Sequence, residues 1–345
     1  MKAAIFYEPG KMCVEDVKKP EAKEGEILIK VSSCAICGTD LRIYNYGHHN
    51  VKPPQTIGHE IAGTVEEIGK GVHGYEKGDK VIIVTEVGCG NCNFCLRGIQ
   101  NLCKSFTAIG YHWPGGFAQY FLMPARGVAQ GNVLKFPKHL SFEEASLAEP
   151  LSCVINGQSF LNIGLGETVV VIGSGPIGCM HVELAKISGA GKVILADISE
   201  DRLKLGKMVS TDVIIDSSKE DLVERVMQET NKEGADVVIV ACSSGKAQED
   251  SLKLISTRGR ISFFGGLPKD KPVINFNSNI VHYKEISIYG AFASYPYQYK
   301  QALDLISSKR IDASKFITHR FKLDEIVKAI EAAKSGKTLK VVINP

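Results

Sequence analysis

Apolar and polar positions divide the chain into two differently patterned parts. Up to about residue 150, short apolar or alternating runs dominate. Residues 26–31 (EILIKV), 61–68 and 80–84 carry β-branched residues with glycine punctuation between them. Pro53-Pro54 and the Gly-Lys-Gly at 69–71 mark loops. Many short strands without helical periodicity predict an irregular β domain.

The pattern changes after Pro150. Residues 168–172 (TVVVI) are a continuous apolar run, as expected for a parallel strand covered on both faces. A helix is predicted over 176–188 and a strand over 193–196, ending in Asp197, with Ser199 as N-cap of the next helix. The alternation continues with a strand at 213–215, helix 219–230, strand 237–240, helix 246–255, and strands at 261–264 and 286–289. Such a βαβ series implies a doubly wound parallel sheet. Beyond it, helices over 299–308 and 323–333 and a strand-like tail at 340–343 are too short for a further domain and are expected to return to the first part.

Composition narrows the class without changing this division. At 345 residues, two domains are the expectation. A net charge of +3 gives no argument for nucleic acid or membrane partners. The first residues contain no apolar run that reads as a signal peptide, and no stretch supplies a spanning helix. The expected location is the cytoplasm and the expected partner a small molecule.

Ten cysteines suggest either disulfides or metal sites. Spacing favours metal: Cys89, Cys92, Cys95 and Cys103 fall within 15 residues, as C-x2-C-x2-C-x7-C. Four thiolates suit a closed structural zinc site, although iron–sulfur clusters also take four cysteines. In zinc-finger peptides such binding contributes on the order of 10–16 kcal/mol, enough to order a loop with no core of its own. Cys13, Cys34, Cys153, Cys179 and Cys242 have no ligand spacing and read as core thiols.

A second donor set is Cys37 with His59-Glu60, 22 residues further on, offering sulfur, nitrogen and oxygen. Adjacent strand residues point to opposite faces, so His59 and Glu60 serve one site only at a strand end or bend. Gly58 and Gly63 flank the pair and permit one.

The third signal is Gly173-Ser174-Gly175-Pro176-Ile177-Gly178, placed between a predicted strand and a predicted helix. Gly173 makes the tight turn, Gly175 admits a pyrophosphate and Gly178 permits helix–strand contact, while the helix N-terminus attracts the phosphates. Asp197 would hydrogen-bond the adenosine ribose and repel a 2′-phosphate, which favours NAD over NADP. Arg202 reaches toward the adenosine side or lies on a solvated helix face.

Taken in order, Cys37-Gly38-Thr39-Asp40, Gly58-His59-Glu60, the four cysteines, Gly115–Tyr120 (GGFAQY), Glu149-Pro150-Leu151-Ser152, the glycine motif and the 340–343 tail resemble the zinc-dependent medium-chain alcohol dehydrogenases over essentially the whole chain. The resemblance implies a GroES-like irregular β catalytic domain at 1–150, with a structural zinc lobe at 86–106. It further implies a Rossmann NAD-binding domain at 151–290, residues 291–345 returning to the first domain, and a catalytic zinc in the cleft. It implies two zinc ions per chain. Cys37 and His59 match the dependable catalytic ligands, Glu60 the adjacent carboxylate, and Glu149 the remaining position, as in the polyol (sorbitol) branch. Thr39 matches the hydroxyl that receives the substrate proton. Arg42 stands where many relatives have a relay histidine, and arginine stays protonated. Ala293-Ser294 replace the Arg-Tyr pair of animal polyol dehydrogenases. Arg42, His49, Trp113 and Phe117 are candidates for the substrate pocket, against an exposed loop for His49 and simple packing for the aromatic pair.

The resulting expectation is NAD-dependent oxidation of a secondary hydroxyl on a polyol or sugar-derived substrate. L-threonine 3-dehydrogenase is the closest alternative, and a zinc-free quinone-reductase-like or binding protein is the alternative from another class. By resemblance the assembly is a homotetramer or a homodimer.

Overall fold

The computed structural model describes Met1–Pro345 and divides into two compact units, Met1–Ser152 with Ala293–Pro345, and Cys153–Phe292. In the first unit a seven-stranded sheet carries the core. Its order is Val133–Lys135, Lys80–Ile83, Glu60–Ile68, Ile27–Ala35, Lys340–Asn344 and Ile317–Lys322, with Tyr120–Met123 pairing separately on Ile27–Ala35. Strand Ile27–Ala35 is central and is buried at every position except Lys30 and Ser32, so both faces are covered. The tail strand Lys340–Asn344 pairs antiparallel with it, setting Val342 opposite Ala35. Lys2–Glu8, Lys11–Asp16 and Gln55–Thr56 form a three-stranded sheet beside it.

The expectation of strands and turns up to about residue 150 is corrected by helices Gly38–Tyr46 and Phe142–Ser146 and by the start of Ala148–Ser159. Helix Gly38–Tyr46 begins at Cys37, whose N–H donates to Asp40 Oδ2 at 2.8 Å in a capping box. Its apolar positions are too few and too scattered to show a helical period. The predicted helix at 323–333 also differs: Leu323–Glu325 is a 3₁₀ turn, and the α-helix is Ile326–Lys334.

The second unit is a six-stranded parallel sheet. Its strands run in the order Val213–Asp216, Lys192–Asp197, Thr168–Ile172, Ala235–Val240, Ile255–Phe263 and Ser287–Gly290. The chain reverses direction across the sheet between Thr168–Ile172 and Ala235–Val240, which makes this the doubly wound arrangement with its switch point beside the first strand. Val169, Val170 and Val171 are wholly buried, consistent with cover on both faces. Helix Pro176–Ser188 has proline at its first position and ends at Gly189 in the left-handed conformation. No helix is long and apolar enough to cross a membrane.

Candidate functional site

The turn Gly58-His59-Glu60 sits where the chain enters strand Glu60–Ile68. Gly58 has φ +93°, and a Cβ there would lie 2.8 Å from the Phe117 ring, so a side chain is excluded by both backbone and neighbour. This turn breaks the strand alternation and lets His59 and Glu60 serve one place. Gly63 makes no bend. It lies within the strand, where a Cβ would come 2.3 Å from the Lys30 carbonyl, so its smallness serves strand packing.

One donor atom each from Cys37, His59 and Glu60 lies within 4.8 Å of the others. His59 and Glu60 are buried, and Cys37 is half-buried at the helix N-cap. Asp40 Oδ1 faces His59 Nδ1 at 3.5 Å, slightly long for a hydrogen bond. Both atoms, and Glu60 Oε2, are buried without a partner. Burial would lower the His59 pKa, but the charges of Tyr111, Asp40 and Cys37 outweigh it and hold the ring well above its ordinary value. The place therefore favours a cation. Three orphaned polar atoms around converging sulfur, nitrogen and oxygen donors fit a zinc ion.

Glu149 stands in the first turn of helix Ala148–Ser159, buried and outside that group of three. Burial, reinforced by Glu60 and Glu86 against the pull of His59, pushes its pKa to about 8. Burial likewise raises Glu86 to about 7, although the Tyr299 hydroxyl acts the other way.

In the lobe, the sulfurs of Cys89, Cys92, Cys95 and Cys103 lie within 4.8 Å of one another and form no disulfide. Main-chain N–H groups point at them: Cys92 donates to Cys89 Sγ at 3.3 Å, Cys89 to Cys103 Sγ at 3.2 Å, and Ser105 to Cys103 Sγ at 3.3 Å. Amides aimed at sulfur favour thiolates. The Cys95 amide heads the causes that bring Cys92 down to about 6. All four positions are protein-supplied, which fits a closed structural zinc site.

In the second unit Gly173 has φ +112°, and a Cβ on Gly178 would fall 1.7 Å from the Gly173 carbonyl. That contact seats helix Pro176–Ser188 against the turn. Asp197 ends strand Lys192–Asp197 and binds the turn directly. Its Oδ2 accepts from Ser174 N at 2.7 Å and its Oδ1 from Ser199 N at 2.9 Å. The Arg202 guanidinium lies over the turn, since a Cβ on Gly175 would meet its Nη1 at 2.7 Å.

Two family models match the chain: the alcohol dehydrogenase GroES-like domain at residues 23–134 and the zinc-binding dehydrogenase domain at 176–308. The chain is 37% identical over 332 residues to the L-threonine 3-dehydrogenase of Pyrococcus horikoshii, covering 95% of this chain and 93% of that relative. The chain belongs to the zinc-containing medium-chain alcohol dehydrogenase family. The members of this family are oxidoreductases. It is also 34% identical over 350 residues to the sorbitol dehydrogenase of Halalkalibacterium halodurans, covering 100% and 99%. Among solved structures, a protein described as a zinc-binding dehydrogenase from Sinorhizobium meliloti bound to NADP has a TM-score of 0.93 at 31% identity, with 100% and 99% covered.

Within this medium-chain dehydrogenase, other residues singled out in the sequence fall as follows. Thr39 Oγ1 accepts from Arg42 Nη2 at 2.9 Å, and Arg42 is otherwise exposed. His49 is exposed and stacks on His48, ring centroids 4.4 Å apart. Trp113 donates to Thr107 Oγ1 at 3.1 Å. Phe117 is wholly buried beneath Gly58, so it supports the turn from the core instead of lining an open pocket. Cys13 is exposed on strand Lys11–Asp16, and Cys153 and Cys242 are half-buried; these three are not core thiols.

The sequence reading missed three neighbours of the Cys37, His59 and Glu60 group. Asp40 was visible only as part of the Cys-Gly-Thr-Asp run. Tyr111, with its ring 5.5 Å from that of His59, gave no signal. Lys340 donates to Glu60 Oε1 at 2.6 Å and to the Ile36 carbonyl at 2.9 Å, a contact spanning 280 positions that no local pattern announces.

Proposed function

We propose that this dehydrogenase oxidises a secondary hydroxyl of a polyol or sugar-derived substrate with NAD. Cys37 and His59 would hold the catalytic zinc, with Glu60 and Glu149 as the two carboxylates available for the remaining protein ligand. The four cysteines of the lobe hold a second zinc that takes no part in the reaction. The observation that carries this reading is the convergence of sulfur, nitrogen and carboxylate donors at Cys37, His59 and Glu60 beside orphaned polar atoms. When bound, zinc would supply Lewis acidity, which lowers the pKa of coordinated water to about 7 and acts alike on an alcohol.

The chain's own groups do the rest. Thr39 takes the hydroxyl proton. Its oxygen already accepts from Arg42, which orients the remaining lone pair. Arg42 stays protonated and cannot carry the proton onward, so Glu149, Glu60 or water takes the place of the relay end. Gly175, Ile177 and Gly178 bring main-chain N–H groups to the pyrophosphate, Gly173 and Pro176 shape the turn and the helix start, Asp197 holds the adenosine ribose, and Arg202 covers the phosphate side. Asp197 also disfavours a 2′-phosphate, which supports NAD over NADP.

A second reading is supported by Arg42 itself. An exposed guanidinium beside Thr39 suits a substrate carboxylate, and the 37%-identical relative is named L-threonine 3-dehydrogenase. Zinc analysis together with NAD reduction across polyols, inositols, sugar acids, threonine and simple alcohols tests both. Two zinc ions per chain with polyol turnover supports the first reading, and turnover of threonine alone replaces it with the second. Under one zinc per chain and no turnover of any alcohol defeats both.

The protein is further proposed to be a cytoplasmic homotetramer. The uncovered edge strand Ser287–Gly290, with Tyr283 and Phe292 exposed nearby, supports self-association. Light scattering that gives a monomer mass would defeat that.

A further inference from the structure

The segment Thr85-Glu86 lies between His59 and the four-cysteine lobe, and a side chain with no role in the reading above holds it. Tyr299, from helix Pro296–Ser307, is wholly buried and uses its hydroxyl twice. It donates to Glu86 Oε2 at 3.0 Å and accepts from the Thr85 N–H at 3.2 Å. Thr85 Oγ1 in turn donates to the main-chain carbonyl of His59 at 3.0 Å.

On the lobe side, the Glu86 carbonyl accepts from Gln100 Nε2 at 2.8 Å and from Asn132 Nδ2 at 2.6 Å. The Gln100 carbonyl accepts from the N–H of Cys103 at 3.0 Å. Continuous hydrogen bonding therefore joins Cys103 to His59 through buried groups, and Tyr299 grips the two residues at its middle. Phenylalanine would fill the same core space without gripping either. Buried polar groups joined this way rigidify one arrangement, whereas a buried donor or acceptor left unpaired costs free energy.

We propose that Tyr299 is a positioning residue for the metal site: by fixing Thr85 and Glu86 it sets where the His59 backbone lies. This rests on the reading of His59 as a zinc ligand. The effect of Tyr299 on His59 passes through Thr85, whose hydroxyl donates to the His59 carbonyl.

The test is chelator-driven zinc release from the purified holoenzyme, followed with a zinc-sensitive dye, with Cys37→Ala used to assign the slow and fast phases. For Tyr299→Phe, zinc held by Cys37 and His59 is expected to leave about tenfold faster, the scale of one lost hydrogen bond. Lobe zinc leaves at the wild-type rate, and kcat falls while the KM for NAD stays constant. Thr85→Val reproduces the change, the double variant adds less than the sum, and Thr85→Ser restores wild-type release. Unchanged release in both Tyr299→Phe and Thr85→Val, or equal acceleration of both phases, overturns the proposal. A wild-type protein holding fewer than two zinc ions per chain overturns instead the reading beneath it.

Discussion

Lys340 places its ammonium 2.6 Å from Glu60 Oε1, with 4% and 0% of the two side chains exposed. Burial works against the Lys340 charge, but Glu60 and Cys37 outweigh it and hold its pKa above the ordinary value. The pair leaves Glu60 with one oxygen neutralised and one unpartnered. Breaking a buried pair from one side typically costs 3–5 kcal/mol, whereas replacing both members is often neutral. Lys340→Met is therefore expected to lower stability by about 3 kcal/mol. Lys340→Met with Glu60→Leu should recover most of it, as read by urea unfolding. Equal stability of the single variant and wild type would deny the pair this importance.

Cys37→Ala removes the thiol donor while leaving the second unit untouched. Turnover is expected to vanish and one zinc per chain to be lost, with NADH binding retained in a fluorescence titration. Retained activity would remove Cys37 from the metal site.

Asp197 accepts from one amide of the glycine-rich turn, Ser174, and from the amide of Ser199 at the start of the next helix, as well as making its proposed ribose contact. Hydrogen bonds to charged groups contribute about 1.5–3 kcal/mol each. Asp197→Ala should raise the KM for NAD by roughly tenfold or more and narrow the preference over NADP. An unchanged ratio of kcat/KM for the two cofactors would leave Asp197 as a turn residue only.

His181 gives the second unit an acid-sensitive point. It is wholly buried in helix Pro176–Ser188, against Phe264 at 4.7 Å between ring centroids, and burial lowers its pKa from 6.5 to about 3. The unfolded chain binds a proton near pH 6.5, while the folded chain resists until about 3. Stability from this source is thus complete above pH 6.5 and falls as the pH drops toward 3. At pH 5 the loss is about 2 kcal/mol. His181→Leu should flatten the difference between urea midpoints at pH 7 and pH 5, even if it lowers both. An undiminished difference would place the acid sensitivity elsewhere.

Local signals made the second unit legible. Strand Thr168–Ile172 and helix Pro176–Ser188 match their predicted bounds because an apolar run, a glycine turn and a helix-initiating proline adjoin one another. Asp221, which caps Leu222–Glu229, lies after Lys219, so the predicted helix began too early. The first unit was less legible. Helix Gly38–Tyr46 hides in a polar stretch and is started by a thiol, a cap that the usual preferences do not anticipate. Cys37, His59 and Glu60 announced themselves by donor chemistry. Lys340 and Tyr299 act across more than 200 positions, at 280 and 213 from Glu60 and Glu86, and nothing in their own neighbourhoods marks them.

The pairing of strand Lys340–Asn344 with Ile27–Ala35 imposes an order on biosynthesis. The Glu60 carboxylate leaves the ribosome 280 residues ahead of the ammonium that neutralises it. At about 5–20 residues per second, that is a delay of roughly 14–56 s. Throughout that interval Glu60 lacks the ammonium that neutralises it in the finished fold. Strand Ile27–Ala35 likewise waits for its neighbour Lys340–Asn344, so this part of the first unit is completed only when the last residues of the sequence are made.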